Sequence, residues 1–206
     1  MEFLLNLRRR GIAEQAVLRA MDEVPREYFV GQEFSDRAYE DHALPIACGQ
    51  TISQPYIVAY MTERLELCPH HRVLEVGTGS GYQAAVLGRL AGEVVTVERY
   101  RTLAELARIR LQTLRLSNVC VVVGDGLLGW AARAPYDRII VTAAGDQVPA
   151  ALVDQLAEGG IMLLPLGPRL GTQMLTKVTK RPEGLGCEDL IGVRFIPLLA
   201  GQAREL

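Results

Sequence analysis

Residues 73–87 read VLEVGTGSGYQAAVL, and this stretch decides the fold of the 206-residue chain. An apolar run meets a turn with glycines at positions 77, 79 and 81, and good helix formers follow from Tyr82. A strand, a glycine turn and a helix in this order hold a nucleotide-like cofactor in a parallel α/β sheet. Glycine permits backbone angles that a side chain forbids and lets a ligand approach closely, while free N–H groups at the helix start face that ligand.

Two acidic residues accompany the turn. Glu75 lies two residues before Gly77, and Glu98 ends a second apolar run. An acid at the end of the second strand, about twenty residues past the first glycines, is placed to accept hydrogen bonds from both ribose hydroxyls. A lone glycine turn beside a surface acid is common. Here turn, helix, strand and acid follow in the required order, which favours a cofactor site.

Strand-like and helix-like segments alternate after the turn. Continuous apolar runs, typical of strands covered by helices on both faces, predict strands at 72–76, 93–98, 118–123, 137–143 and 160–166. Helices are predicted between them at 81–90, 101–116 and 149–157. The runs 172–179 and 190–198 alternate and lack an intervening helix, which predicts an antiparallel pair at the sheet edge.

The predicted fold class is therefore α/β: a Rossmann-like, doubly wound, mostly parallel sheet with helices on both faces, antiparallel C-terminal edge strands and an N-terminal helical extension. The length favours a single domain, 1–206. Within it, residues 1–70 would form the helical, substrate-side extension, and residues 71–206 the cofactor-binding core.

The N-terminal third contains two predicted helices. Apolar residues at helical spacing predict one over 14–24, which Pro25 ends. Pro55 fits the first turn of a second helix that runs to about Leu65, for which Ser53 or Thr51 would supply the cap. The stretch 26–41 between them is predicted to be irregular.

Composition limits the partners and the compartment. A net charge of −2 and a pI of about 6.0 disfavour nucleic acid as the main partner, and the arginine run 8–10 is interpreted as a solvated terminal face. Four scattered cysteines without a C-x-x-C pair suit a reducing cytoplasm, with Cys120 buried in a strand. We find no secretory pattern and no apolar run long enough to span a bilayer.

The three histidines do not predict a metal site, because zinc needs three or four ligands at short, fixed spacings. His70 and His71 precede the first strand, at the wrong edge of the sheet, and are interpreted as surface residues. His42 is interpreted as structural.

Ligands bind beyond the carboxyl ends of the strands in an open α/β sheet. Those ends carry the glycine turn, Glu98, the loop 124–126 and the small-residue loop 142–145. Asp125, between two glycines, could reach an adenine amino group. The small residues after the fourth strand leave room for a substrate over the cofactor.

Longer motifs point to one family. Residues 74–87 resemble the first motif of class I S-adenosylmethionine-dependent methyltransferases. The segments YEDHALPI (39–46) and QTISQPY (50–56) resemble the signature of one branch, the protein-L-isoaspartate (D-aspartate) O-methyltransferases. YDRIIVTAA (136–144), EGGIMLLPLG (158–167) and VRFIPL (193–198) resemble its later motifs, so the resemblance covers nearly the whole chain. Ala47 stands where many members carry glycine, which affects the expected loop geometry.

The resemblance implies a repair enzyme, which we expect to be a cytoplasmic monomer. It would transfer a methyl group from S-adenosyl-L-methionine to the free α-carboxylate of L-isoaspartyl residues in damaged proteins and peptides, leaving S-adenosyl-L-homocysteine. The methyl ester would then close to a succinimide without further help. Isoaspartyl proteins and peptides would be its partners, without nucleic acid or membrane.

The resemblance also assigns roles to residues. Ser53 matches the active-site hydroxyl, and no metal ligand is expected. The cofactor-binding positions are Glu75, Gly77, Thr78, Gly79, Ser80, Gly81, Glu98, Asp125, Gly126 and Thr142. The substrate-side positions are Leu44, Pro45, Ile46, Thr51, Ile52, Val193 and Phe195, the last two in an expected strand over 193–198.

The chemistry agrees with the absence of a catalytic dyad from the sequence. A carboxylate with a pKa of about 4 is ionised at neutral pH, so the reaction needs no general base. The carboxylate is a weak nucleophile, and the enzyme must act by placement. Ser53 is therefore predicted to orient the carboxylate and not to abstract a proton.

Three alternatives stay open on the sequence alone. A methyltransferase of the same fold acting on RNA or a small molecule would leave the 51–55 segment unexplained. A nicotinamide-dependent dehydrogenase would need G-x-G-x-x-G, whereas the chain has G-x-G-x-G. A non-catalytic module would bind the cofactor tightly without turnover.

Overall fold

The computed structural model describes residues 2–169 and 171–203. The N-terminal part contains α1 (Glu2–Arg9), α2 (Gln15–Glu23), the two-residue strands β1 (Leu44–Pro45) and β2 (Thr51–Ile52), and α3 (Pro55–Arg64). Short 3-10 turns, Arg26–Phe29 and Gln32–Arg37, fill the stretch that the sequence predicts to be irregular. Among the described helices, none has the length and apolar character needed to cross a membrane.

The remainder alternates strands and helices. These elements are β3 (Arg72–Val76), α4 (Tyr82–Gly88), β4 (Glu93–Glu98), α5 (Arg101–Thr113), β5 (Val119–Val123), β6 (Tyr136–Val141), α6 (Ala150–Gln155), β7 (Leu156–Leu166), β8 (Gln173–Arg181) and β9 (Gly184–Val193). The sheet order is β5-β4-β3-β6-β7-β8-β9, with β5 through β7 parallel and β8 and β9 antiparallel. This confirms the predicted α/β fold class.

Helices cover both faces of the sheet. On one face Val73, Ile140 and Leu163 pack with Ile57 and Met61 of α3. On the other face the alternate strand residues, among them Leu74, Ile139 and Met162, pack with Leu152 of α6. The side-chain period of two in each strand thus supplies both hydrophobic layers.

The N-terminal helices pack against the helices of the core. Leu7 of α1, Met21 of α2 and Phe29 share one buried cluster with Tyr82 of α4 and Ala107 of α5. The division into 1–70 and 71–206 stays a prediction.

The order in which strands are added to the sheet reverses between the parallel strands β3 and β6. From β3 the chain proceeds outward through β4 to β5, and then returns to lay β6 on the other side of β3. Loops diverge at the carboxyl ends of these two neighbouring strands and leave a crevice, which is where open α/β sheets bind ligands.

The structure tests several local predictions at the N-terminus. The first residues form α1, in agreement with the predicted helical extension, and the arginine run 8–10 is exposed, as interpreted from the sequence. Arg10 in addition forms an ion pair with Asp41, and its guanidinium lies 3.6 Å from the centroid of the Tyr56 ring. The cap prediction is wrong. Neither Ser53 nor Thr51 caps α3. Its cap residue is Gln54, which makes no side-chain cap bond, and the Tyr56 N–H donates to Asp41 Oδ1 at 2.9 Å.

Other corrections concern the end of the last strand and the burial of His71 and Cys120. The last strand, β9, ends at Val193, so the strand expected over 190–198 is displaced toward the N-terminus. His71 is buried, not on the surface, and its Nδ1 accepts a hydrogen bond from the Cys68 N–H at 3.0 Å. Cys120 is half-buried, since β5 is the edge strand of the sheet.

Candidate active site

A cavity opens at the crevice between β3 and β6. Of the predicted cofactor residues it is lined by Gly77, Thr78, Gly79, Ser80, Glu98, Gly126 and Thr142. Of the predicted catalytic and substrate-side residues it is lined by Thr51, Ile52, Ser53 and Phe195. Residues separated by more than a hundred positions in the chain thus face one space.

The glycine turn has the strained backbone that the sequence implies. Gly77, Gly79 and Gly81 have φ of +96°, +53° and +90°, a region that side chains disfavour. A Cβ on Gly77 would lie 2.4 Å from Thr142 Oγ1, and one on Gly81 would lie 3.1 Å from the Cβ of Ala107. Gly77 therefore permits the close approach of β6, and Gly81 that of α5.

Thr142 closes the crevice from the β6 side. Its N–H donates to the Val76 carbonyl at 2.9 Å and its hydroxyl to the Gly77 carbonyl at 2.7 Å. These bonds hold the start of the glycine turn against the end of β6. Thr142 thereby fixes the distance between the two halves of the site.

Glu98 lies at the end of β4, 5% exposed, on the wall of the cavity. Its Oε2 accepts the Gly79 N–H at 2.8 Å and its Oε1 accepts the Tyr100 N–H at 3.0 Å. An ionised carboxylate has about four acceptor sites. Each oxygen of Glu98 therefore retains capacity for a ligand hydroxyl while it holds the turn.

Glu75 is fully buried behind the turn and is not part of the cavity wall. The Thr96 hydroxyl donates to Glu75 Oε2 at 2.5 Å, and since that hydroxyl has one proton, Thr78 donates to Thr96 across 2.6 Å. Oε1 has no hydrogen-bond partner. Burial raises the pKa of Glu75 to about 8, against the lowering effect of the Thr96 bond.

Asp125 has both carboxylate oxygens engaged. Oδ1 accepts the Leu127 N–H at 2.9 Å and Oδ2 accepts the Gly201 N–H at 2.7 Å. The structure thus places Asp125 beside the cavity as a support for the 3-10 turn Gly126–Leu128 and for the C-terminal segment. Its adjacent residue Gly126 reaches the cavity wall.

Ser53 lies between two cavities. A second cavity adjoins the first and is also lined by Ser53, Thr51 and Thr142, together with Val193 and Phe195. Ser53 is half-buried, and its carbonyl accepts a hydrogen bond from Arg26 Nη2 at 2.7 Å. The predicted active-site hydroxyl therefore stands at the junction of the two cavities.

Leu44, Pro45 and Ile46 do not line either cavity. Leu44 pairs with Ile52 and Pro45 with Thr51 in the β1–β2 ribbon, which carries the Ser53 loop. Ile46 lies close to the glycine turn, since its Cδ1 would be 3.6 Å from a Cβ placed on Gly79. Their predicted substrate role stays a prediction, and their observed contribution is support. Ala47 begins the 3-10 turn Ala47–Gly49, where positive φ falls on Cys48 and Gly49 but not on Ala47, so alanine is accommodated.

Several cavity residues were not predicted from the sequence. Gln50, Gln83, Arg99, Tyr100 and Leu199 line the first cavity as well. Arg99 and Tyr100 directly follow Glu98, so their position after β4 is a signal that could have identified them. Leu199 enters because the segment after β9 crosses to β6: the Ala144 N–H donates to the Ile196 carbonyl at 2.8 Å and the Leu198 N–H to the Ala144 carbonyl at 2.7 Å. Local sequence gives no sign of that crossing.

Within the described ranges, no group of three or more His, Cys, Asp or Glu side chains could hold a metal ion. The His42 ring contacts Arg37 and Glu40 near the surface.

Similarity to known proteins extends these observations. A sequence model of the family described as Protein-L-isoaspartate(D-aspartate) O-methyltransferase matches residues 1–203. A protein-L-isoaspartate O-methyltransferase of Rhodopseudomonas palustris (strain BisA53) is 56% identical over 206 residues, which is all of this chain and 96% of that protein.

Solved structures with the same description are also similar. One protein-L-isoaspartate O-methyltransferase superposes with a TM-score of 0.89 at 32% identity, over 98% of this chain and 66% of that longer chain. A Plasmodium falciparum protein assigned to the same enzyme class, in complex with S-adenosyl-L-homocysteine, superposes with a TM-score of 0.84 at 28% identity, over 96% and 97% of the two chains.

Proposed function

We propose, from the premise that the chain belongs to the protein-L-isoaspartate(D-aspartate) O-methyltransferase family, that the cavity beside β3 and β6 is its active site. The activity of the chain is the transfer of a methyl group from S-adenosyl-L-methionine to isoaspartyl carboxylates. The observation that carries this proposal is that Ser53, Gly79 and Glu98 line one cavity. The family match over nearly the whole chain does not favour an RNA or small-molecule methyltransferase.

The cavity has the groups that S-adenosyl-L-methionine requires. One wall of the cavity is polar, formed by Glu98 and the glycine turn, and its floor is apolar, formed by Val76, Val97 and Met61. Glu98 would hold the ribose hydroxyls, and the turn would admit the methionine portion. Tyr100, Gly126 and Leu198 would contact the purine. When bound, the cofactor supplies an electrophilic methyl group on a sulfonium.

Ser53 orients the attacking carboxylate. A carboxylate is already ionised near neutral pH, so no proton has to be removed and a hydroxyl donor suffices. The Ser53 hydroxyl can donate one hydrogen bond. Holding one carboxylate oxygen restricts its approach, which is how placement accelerates a weak nucleophile.

The second cavity would accept the chain that flanks the isoaspartate. It shares Ser53 and Thr142 with the first cavity and extends along Val193 and Phe195. An extended peptide needs such an outer space, since only the isoaspartyl carboxylate has to reach the methyl group. The substrate-side positions predicted from the family fit this arrangement.

Compartment and assembly complete the proposal. All four cysteines are free thiols within the described ranges, which supports a cytoplasmic protein. A net charge of −2 supports a protein that acts without nucleic acid. We expect a single-domain monomer, which size-exclusion chromatography with light scattering would test.

The decisive experiment measures methyl transfer from labelled S-adenosyl-L-methionine to a short L-isoaspartyl peptide. The matched control is the same peptide with normal aspartate. Label that becomes base-volatile methanol only with the isoaspartyl peptide supports the proposal. Cofactor binding without transfer to either peptide would contradict it.

A further inference from the structure

Arg26 is buried to 0% exposure, yet it carries a charge that neither the cofactor nor the substrate can reach directly. It follows Pro25, which separates α2 from the 3-10 turn Arg26–Phe29. Burying a cation is costly unless its donors are satisfied, and of the three guanidinium nitrogens of Arg26 only Nη1 has no hydrogen-bond partner among the described residues. The groups that its guanidinium holds therefore indicate what this buried charge does.

Two backbone carbonyls accept from the guanidinium. Nε donates to the Ala38 carbonyl at 2.6 Å, and Nη2 donates to the Ser53 carbonyl at 2.7 Å. Hydrogen bonds from a charged donor are the strong ones, and the rigid planar fork fixes both distances at once. Arg26 thereby joins the segment after α2 to the loop that carries the active-site hydroxyl.

A third contact leads to the cofactor side. The guanidinium lies 4.8 Å from the centroid of the Tyr82 ring, and Tyr82 is the first residue of α4 and lines the first cavity. Tyr82 is itself fixed by a T-shaped contact with Phe29, whose ring centroid is 5.4 Å away. Arg26 therefore touches both the Ser53 loop and the helix that follows the glycine turn.

Ser53 lies between two anchored neighbours. On one side Ile52 pairs with Leu44 in the β1–β2 ribbon, and on the other the Gln54 carbonyl accepts the Ile57 N–H at 3.1 Å and the Val58 N–H at 3.3 Å. Among the described residues, no hydrogen bond from the Ser53 side chain holds it to α3. The bond from Arg26 therefore holds the carbonyl of Ser53 itself, between those two neighbours.

We propose that Arg26 is a positioning residue for methyl transfer, which acts through Ser53 by fixing its backbone relative to α4 and the glycine turn. The inference rests on the proposed role of Ser53. Displacement of a reacting group by about 1 Å can cost roughly 10²-fold in rate. Loss of Arg26 should therefore lower turnover by a similar factor.

A double-mutant cycle separates this role from a merely structural one. The variants are Arg26→Met, Ser53→Ala and the double variant, each assayed well below its own melting temperature with the L-isoaspartyl peptide. If Arg26 acts through Ser53, then Ser53→Ala costs ten- to hundredfold in the native background but less than about threefold beside Arg26→Met. Equal costs in both backgrounds would overturn the inference.

Arg138 provides the matched control. Its half-buried guanidinium also holds backbone carbonyls, those of Leu65, Glu66 and Asp137, but near the amino end of β6 and away from the cavity. Beside Arg138→Met, Ser53→Ala should keep its full cost even if stability falls. A reduced cost there would also count against the inference, because it would show a general effect of lost stability.

Arg26→Lys keeps the test decisive if Arg26→Met does not fold. Lysine retains the charge and a donor for one carbonyl but not the two-pronged geometry. We expect it to recover part of the turnover and to leave S-adenosyl-L-homocysteine affinity within about twofold. No recovery, or a loss of affinity equal to the loss of turnover, would oppose the inference. If the protein without any substitution did not transfer methyl groups to the L-isoaspartyl peptide, that result would instead contradict the proposed function.

Discussion

At the residue scale, Glu75 combines full burial behind the glycine turn with a carboxylate oxygen that has no hydrogen-bond partner in the part of the chain that the structure describes. Its folded pKa is raised to about 8, so at neutral pH the folded protein holds a proton there that the unfolded chain has released. The native state therefore binds more protons than the unfolded state between about pH 4.5 and 8. By linkage, the contribution of Glu75 to stability declines as pH rises through that window.

Glu75→Gln should abolish this decline, because an amide keeps an acceptor for Thr96 but cannot ionise. The melting temperatures of variant and native protein should be similar near pH 5. The variant should become the more stable by several degrees near pH 8, on the order of a few kcal/mol.

Differential scanning calorimetry at both pH values checks this. His71, whose pKa is lowered by burial, gives a slope of the opposite sign, but it is common to both proteins and cancels in their difference. A difference in melting temperature between the two proteins that stays constant with pH would mean that folding does not change the pKa of Glu75.

Ser53→Ala tests the orienting role at the same scale. One hydrogen bond to a charged group contributes roughly 1.5–3 kcal/mol, so kcat/KM should fall about ten- to hundredfold. The acidic limb of the pH profile should stay in place, because that limb reports ionisation of the substrate carboxylate and not of serine. A shift of the limb would indicate that Ser53 takes part in proton transfer.

At the element scale, α3 joins the substrate side to the sheet. Its first turn is capped by a residue distant in sequence, Asp41. Asp41 Oδ1 accepts the Tyr56 N–H, while its Oδ2 pairs with Arg10. The side chains of Arg10 and Asp41 are 37% and 23% exposed, so the ion pair contributes little and the cap carries most of the effect.

Asp41→Ala should lower the free energy of unfolding by about 0.5–2 kcal/mol. Asp41→Asn should cost only a small part of this, because its carbonyl oxygen can still accept from Tyr56. Urea unfolding, read as a shift in midpoint at constant slope, measures both. Equal losses for the two variants would show that the ion pair matters more than the cap.

The last element shows why strand ends are hard to place from a sequence. The run 190–198 looks like one strand, but Gln173 Oε1 accepts the Phe195 N–H at 2.9 Å and the chain leaves β8 there. It then pairs with the loop after β6. Competing partners for the same backbone groups, not propensity, end β9.

At the scale of the whole molecule, the N-terminal helices have no separate core. Leu7 and Met21 share one buried cluster with Tyr82 and Ala107. We therefore expect one cooperative unfolding transition. Trp130, the only tryptophan, lies against the opposite face of the sheet near Gln155, so its fluorescence reports on the α/β core.

Urea curves followed by Trp130 fluorescence and by far-UV circular dichroism should coincide in midpoint. Loss of helical signal before the fluorescence change would show that the N-terminal extension unfolds independently. That result would support two units in place of one.

The sequence by itself determined the fold class and the side of the cavity that the glycine turn and Glu98 form. Glycine at 77, 79 and 81, continuous apolar strands and an acid after β4 are local features, and neighbouring residues set their conformation. Parallel topology then brings the carboxyl ends of the strands to one edge without further information. For this reason the positions of Glu98 and the glycine turn follow from local pattern and topology alone.

Only the tertiary structure decided which distant groups complete the site. Arg26 at the Ser53 carbonyl, Asp41 at the start of α3 and Leu199 in the cavity each meet a partner far along the chain. Such contacts depend on how segments pack, and an arginine or aspartate has the same local pattern whether it is buried or solvated. The raised pKa of Glu75 has the same origin, since burial belongs to the folded molecule and not to the residue.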